Sequence, residues 1–189
     1  SFPADAESLV VGLETLDLDG TGRSALYATR PPLEGLDARP RLSDIAFLRR
    51  IDFETADPAS PYHRLDGDGL PNPGHLYRAG EQVGLSFEGY GLALDDEGRH
   101  RVRVRVSASR QTRRGLVRVL LGKGGGAGNE LAYEDQGEGP RLVQMLSLAI
   151  PGLQKGTYVL RVGIEDLLAG GAARRTVSFR VLGRDEVFE

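Results

Sequence analysis

A chain of 189 residues, 40% hydrophobic and 27% charged, is long enough for one large domain, or one domain plus a fragment, and is not a disordered polymer. A net charge of −3 offers no global field to nucleic acid or to anionic lipid. The absence of cysteine removes disulfides, thiolate metal sites and cysteine nucleophiles from consideration, and no apolar run reaches the roughly 18 residues of a membrane-spanning helix.

Period-two alternation dominates the chain. Leu9, Val11 and Leu13 alternate with Val10, Gly12 and Glu14, residues 17–22 read as a turn, and residues 24–29 return as a strand. A proline-containing connector runs to Pro40, followed by a short strand over residues 41–48. Residues 57–74 hold four prolines (58, 61, 71 and 73) and the run Asp66-Gly67-Asp68-Gly69, which predicts a long ordered loop or an edge segment. Val83, Leu85 and Phe87 share one strand face. Beyond the turn at residues 95–98, Arg101-Val102-Arg103-Val104-Arg105-Val106 sets three valines against three arginines, the pattern of a half-buried antiparallel strand.

Residues 116–121 predict another strand, followed by a glycine-rich loop over residues 122–129. Leu146, Leu148 and Ile150 alternate before the turn at Pro151-Gly152. Tyr158, Leu160, Val162 and Ile164 form a further strand face, residues 166–171 turn, and Val177, Phe179 and Val181 close the pattern before a charged tail. No segment sustains a helical period. The expected fold is all-β: an antiparallel β-sandwich of the Ig-like, Greek-key kind (residues 41–183), preceded by an N-terminal β-hairpin and connector (1–40) and followed by a tail (184–189). Val11-Gly12-Leu13-Glu14 echoes Val162-Gly163-Ile164-Glu165, and in both copies an arginine (Arg23, Arg174) follows the valine by twelve residues. The echo reads residues 1–40 as the closing hairpin of a preceding module.

Three stretches together resemble a known family. They are Arg41-Leu42-Ser43-Asp44-Ile45-Ala46; Pro71-Asn72-Pro73 through residues 80–92, Gly-Glu-Gln-Val-Gly-Leu-Ser-Phe-Glu-Gly-Tyr-Gly-Leu; and Ile150-Pro151-Gly152-Leu153 through residues 156–162, Gly-Thr-Tyr-Val-Leu-Arg-Val. In this order they resemble the β-rich C-terminal region of bacterial GWxTD domain-containing proteins, over roughly residues 41–182. The Gly-Trp-x-Thr-Asp signature is absent, since the chain has no tryptophan. The resemblance therefore implies a sandwich fold and a place outside the cytoplasm, and carries no activity with it.

Candidate chemistry is sparse. Gly122-Lys123-Gly124-Gly125-Gly126-Ala127 matches G-x-G-x-x-A after a strand, but a dinucleotide site needs a helix next, and residues 129–136 are too short before Gly137-Glu138-Gly139-Pro140. The loop reads instead as a hairpin loop. Asp17, Asp19, Asp66 and Asp68 present alternate oxygens of the kind calcium takes, but Ala28 stands where a bidentate glutamate would close the first loop, and Asp-Gly runs commonly mark turns. His63, His75 and His100 show no ligand spacing, and no G-x-S-x-G anchors a serine nucleophile. Paired carboxylates for glycoside hydrolysis are set in space and so stay open at this point.

Arg101, Arg103 and Arg105, with Arg113 and Arg114 beyond, form a basic stripe able to dock an acidic protein surface or lipid headgroups. Without alternating aromatics it is a poor base-stacking platform. The bland alternative is a solvated face that discourages edge pairing.

The sequence thus predicts a non-catalytic interaction module without cofactor or bound metal. It is expected at the periplasm or cell surface, after loss of a signal peptide or upstream region, as an extrinsic subunit of a membrane complex, of which a photosynthetic reaction-centre complex is one example. A carbohydrate- or peptide-binding sandwich is the alternative, and an envelope hydrolase the third reading.

Overall fold

One strand organises the structure, a computed structural model that describes residues 9–16, 23–30, 39–54, 63–64, 67–112, 115–119, 130–149 and 153–183. The chain divides into two compact units, Ser1–Asp37 and Ala38–Glu189. In the first, β1 (Leu9–Leu16) and β2 (Arg23–Arg30) form a two-stranded antiparallel sheet with Leu13 opposite Leu26. Its first strand carries the echo of Val162-Gly163-Ile164-Glu165, but the arginines are not equivalent: Arg23 faces Leu16, whereas Arg174 faces Gly163.

The second unit holds β3 (Arg41–Leu42), β4 (Ala46–Asp52), β5 (His63–Arg64), β6 (Gly67–Pro71), β7 (Leu76–Arg78), β8 (Val83–Tyr90) and β9 (Arg99–Thr112). These are followed by β10 (Gly115–Val119), β11 (Glu130–Glu138), β12 (Leu142–Leu148), β13 (Gly156–Asp166) and β14 (Ala172–Leu182). No described residue is helical, so no helix there is long and apolar enough to cross a membrane. The strands make two sheets, ordered β10-β9-β13-β14-β7, with β11 also on β9, and β12-β8-β4-β6-β5, with β3 also on β8. The architecture is β-sandwich-like, with the core between the sheets.

The core follows from the alternation. Val102, Val104 and Val106 of β9 and Leu160, Val162 and Ile164 of β13 point inward and are buried, with Val104 opposite Ile164 and Val106 opposite Val162. They meet Val83, Leu85 and Phe87 of β8 from the other sheet. Tyr158 stacks on Phe179 with ring centroids 5.1 Å apart. Its hydroxyl stays satisfied at the core's margin by donating to the Gln154 carbonyl at 2.8 Å and accepting the Gln154 N–H at 3.0 Å.

β3 and β4 are one strand interrupted by a bulge. Leu42 faces Gly89 and Ala46 faces Ser86, so residues 43–45 oppose only residues 87–88. Ser43 repairs the ladder: its N–H donates to the Glu88 carbonyl at 2.8 Å, and its hydroxyl accepts the Glu88 N–H at 2.9 Å. The proline-rich stretch is an edge segment in its described part, because β5 and β6 end the second sheet. That sheet curls so that its outward face is concave: a methyl group on Gly69 of β6 would lie 2.8 Å from Leu48 Cδ1 and 3.1 Å from Met145 Cε, although β12 is three strands away. Leu48 and Met145 are thereby buried on the outward side.

The chain crosses between sheets at Asn72. The buried Asn72 amide donates to the Leu76 carbonyl at 2.8 Å and its N–H donates to the Phe47 carbonyl at 2.8 Å. His75 takes a left-handed backbone (φ 52°), which aims its carbonyl at the Arg180 N–H, 2.9 Å away, where β7 begins its parallel pairing with β14.

The glycine-rich residues 122–129, expected as a hairpin loop, lie outside the described residues, and their flanking strands do not pair with each other. Val119 of β10 faces Ala108 and Glu130 of β11 faces Ser107, so both strands run the same way along one edge of β9, meeting it at neighbouring register positions.

At one end of the sandwich the buried Asp166 carboxylate accepts three backbone N–H groups, from Ala93 at 2.8 Å, Leu168 at 2.8 Å and Ala169 at 3.2 Å. It pins the loop after β8 to the turn after β13. Asp166→Ala orphans these donors, and the expected loss is about 3 kcal/mol, read in urea titration. Asp166→Asn, which keeps one acceptor, loses less. A loss for Asp166→Ala under about 1 kcal/mol contradicts the pinning role.

Candidate functional site

The arginine stripe lies on the outward face of β9, which has strands on both sides, and register decides what stands beside it. Arg103 faces Glu134 of β11 on one side and Glu165 of β13 on the other. Its guanidinium donates to Glu134 at 2.8 Å and to Glu165 at 3.3 Å. Arg101 reaches Glu134 at 3.3 Å, while Arg105 reaches Glu165 at 3.5 Å and Glu130 at 3.9 Å. The stripe is therefore a cross-strand ladder of alternating charge, three arginines against three glutamates. Because β9 is paired on both sides, the stripe does not serve to keep an edge unpaired. Arg113 and Arg114 lie outside the described residues.

The hydrogen bond from Arg103 holds the Glu134 carboxyl below its ordinary value of 4.5. Backbone N–H groups, that of Arg99 first, hold Asp95 below 3.8 at the turn that opens β9.

Of the calcium candidates, Asp68 sits within β6, where it pairs with both Asp52 and His63. Asp17, Asp19 and Asp66 fall outside the described residues. Among the described residues no three histidine, aspartate or glutamate side chains gather as a metal cluster. The described histidine side chains serve separate places. His75 Nδ1 lies 3.2 Å from the Ser178 carbonyl with its ring against Phe47. His100 is buried, and since its Nδ1 lies 2.7 Å from the Gly139 carbonyl, Nδ1 carries the proton. Its Nε2 has no hydrogen-bond partner among the described residues. Gly137 opposite makes room for the ring, since a methyl group there would meet His100 Cε1 at 2.9 Å.

Two polar clusters escaped the sequence reading. On the outward face of the second sheet, Glu88 accepts from the Tyr90 hydroxyl and from two nitrogens of Arg141, Nη2 at 2.7 Å and Nε at 2.9 Å. Partial burial, followed by the adjoining Glu88, pushes the Tyr90 phenol up to about 12, against the pull of Arg141. At the open side of the sandwich, Tyr133 of β11 donates to Gln144 of β12 at 2.8 Å, and Gln144 donates to Asp135 at 2.6 Å. This chain bridges the two sheets where the apolar core thins. Burial first, then the charge of Asp135, raises the Tyr133 phenol above its ordinary value. Both clusters depend on residues far apart in sequence, so only the strand register reveals them.

A scan against protein-family models finds no match, and neither does a search of the curated proteins.

The lowered carboxyls fix a pH dependence. Near pH 4 the folded chain binds fewer protons at Glu134 and Asp95 than the unfolded chain, so their stabilisation is present above the ordinary values of 4.5 and 3.8 and is lost as the pH falls through the depressed ones. The melting temperature is expected to decline as the pH drops below 4.5, and less steeply in Glu134→Gln. An identical acid limb in that variant contradicts the pairing.

Proposed function

We propose that this protein acts by contact, as a non-catalytic module of a bacterial envelope or membrane-associated complex. The observation that carries this reading is how the buried and half-buried polar groups are spent. Glu88 holds Tyr90 and Arg141, Asp135 holds Gln144, Asp166 holds three backbone amides, and His100 holds the Gly139 carbonyl. Each of these groups secures a strand, a turn or the junction of the sheets, and a group so engaged is poorly placed to move protons on a substrate.

The finer fold belongs to the same reading. We infer an Ig-like Greek key, supported by the parallel pairing of β7 with β14, the passage from β8 to β9 and from β11 to β12 between sheets, and the return of β13 to the side of β9. The likeness to the C-terminal regions of GWxTD domain-containing proteins supports a place outside the cytoplasm. On the outer ladder the arginines arrive already balanced by carboxylates, so a partner docking on Arg101, Arg103 and Arg105 must match alternating charge rather than supply a uniformly acidic surface.

Native purification of the tagged chain from its own membranes, followed by mass spectrometry, tests the proposal. Stoichiometric co-purification with a membrane complex is the expected result. Recovery of the chain unaccompanied, together with turnover of a substrate that is lost in Asp135→Asn or Glu88→Gln, overturns it.

A further inference from the structure

We propose that β12 is a pairing edge, through which two copies of this chain join their second sheets antiparallel about a twofold axis at Met145. This rests on the contact reading above and names one partner for it.

The sheet edges are guarded unequally. β11 carries Glu130, Glu134 and Glu138 on one face and Asp135 on the other, charges that deter strand addition. At the opposite end of that sheet β7 has three residues. Further along β14, the Leu42 carbonyl accepts Arg175 Nε at 3.2 Å, and Pro40 Cδ would lie 3.1 Å from a methyl group on Gly171, so this edge is covered. The second sheet ends at one side in the two-residue β5. Its other end is β12, with the sequence Leu-Val-Gln-Met-Leu-Ser-Leu: seven residues with no charge, no proline and no glycine. It pairs with β8 in unbroken register from Leu142–Gly89 to Leu148–Val83, and among the described residues no strand lies on its other side. Long, regular, uncharged edges are the ones natural proteins avoid leaving open.

Electrostatics and pattern select a second copy as the occupant. Paired antiparallel about Met145, β12 sets Val143 opposite Ser147, Gln144 opposite Leu146 and Leu142 opposite Leu148, with no like charges. The same operation on β11 sets Glu134 against Glu134 and Glu130 against Glu138, which repels. The inward row Leu142, Gln144, Leu146 and Leu148 continues across the β12 seam. It extends the core at the side where Leu146 and Leu131 are only partly buried. An isologous pair closes on itself and hides the edge in both copies, whereas a strand from another protein would leave its own far edge open.

Sedimentation of the purified full chain tests this without any other partner, so its failure is separable from failure of the membrane-complex reading. The expected species is a dimer, at twice the 20.4 kDa chain mass. Val143→Lys with Ser147→Lys places like charges opposite each other twice and shifts the chain to monomer, with an unchanged circular dichroism spectrum showing that it still folds. Val143→Lys with Ser147→Glu makes the same contacts attractive and restores the dimer. A wild-type monomer, as found if another protein or another part of the same chain covers β12, overturns the proposal. So does a dimer indifferent to the paired lysines.

Discussion

The rest of the structure depends on the pairing of β9 with β13. Each strand presents one dry row and one wet row, and the register that sets Val104 beside Ile164 and Val106 beside Val162 also sets Arg103 beside Glu165. A slip of one residue would turn valines to water and arginines to the core. Burial on one face and ion pairing on the other therefore specify the same register. The buried row supplies most of the stabilisation, and the exposed ladder adds little energy for each pair while penalising misalignment.

From that pair the sheet grows in both directions, and its limits are set by local chemistry. On the far side of β9 two strands, β10 and β11, run the same way in continuous register: the neighbours Ala108 and Ser107 take Val119 and Glu130 as partners. Polar contacts fasten the second sheet to the first: Asn72 where the chain crosses over, Tyr77 on the Leu48 carbonyl, Arg175 on the Leu42 carbonyl, Asp166 at one end, and the Tyr133–Gln144–Asp135 bridge at the open side. Polar residues at these margins do what apolar ones could not, since backbone groups leaving a sheet need partners.

Much of the fold was legible in the sequence, for identifiable reasons. The dry rows of β8, β9, β13 and β14 alternate apolar with polar residues, and such rows report the face directly. β11 was not legible, because its inward row reads Leu131, Tyr133, Asp135 and Gly137, half polar as suits an edge over a thinning core. β7 is three residues whose pairing depends on the Asn72 crossover. The far half of β9 hides behind Ser107, Ala108 and Ser109, small residues that carry a weak signal. The glycine-rich run looked like a hairpin because sequence shows turn-prone composition but not which strand its flanks pair with. The arginine stripe was visible as a pattern, whereas its neutralisation by Glu130, Glu134 and Glu165 depends on strands up to sixty-two positions away.

The β9–β13 pair is the foundation of the fold, and the sheet margins are added to it. Amide hydrogen exchange of the purified chain, followed by mass spectrometry, addresses this most directly. The amides of β9 and β13 are expected to exchange last, with a free energy equal to that of global unfolding from urea titration, while those of β5, β6 and β7 exchange through smaller openings. Exchange of β9 or β13 ahead of β8 and β12 would contradict it.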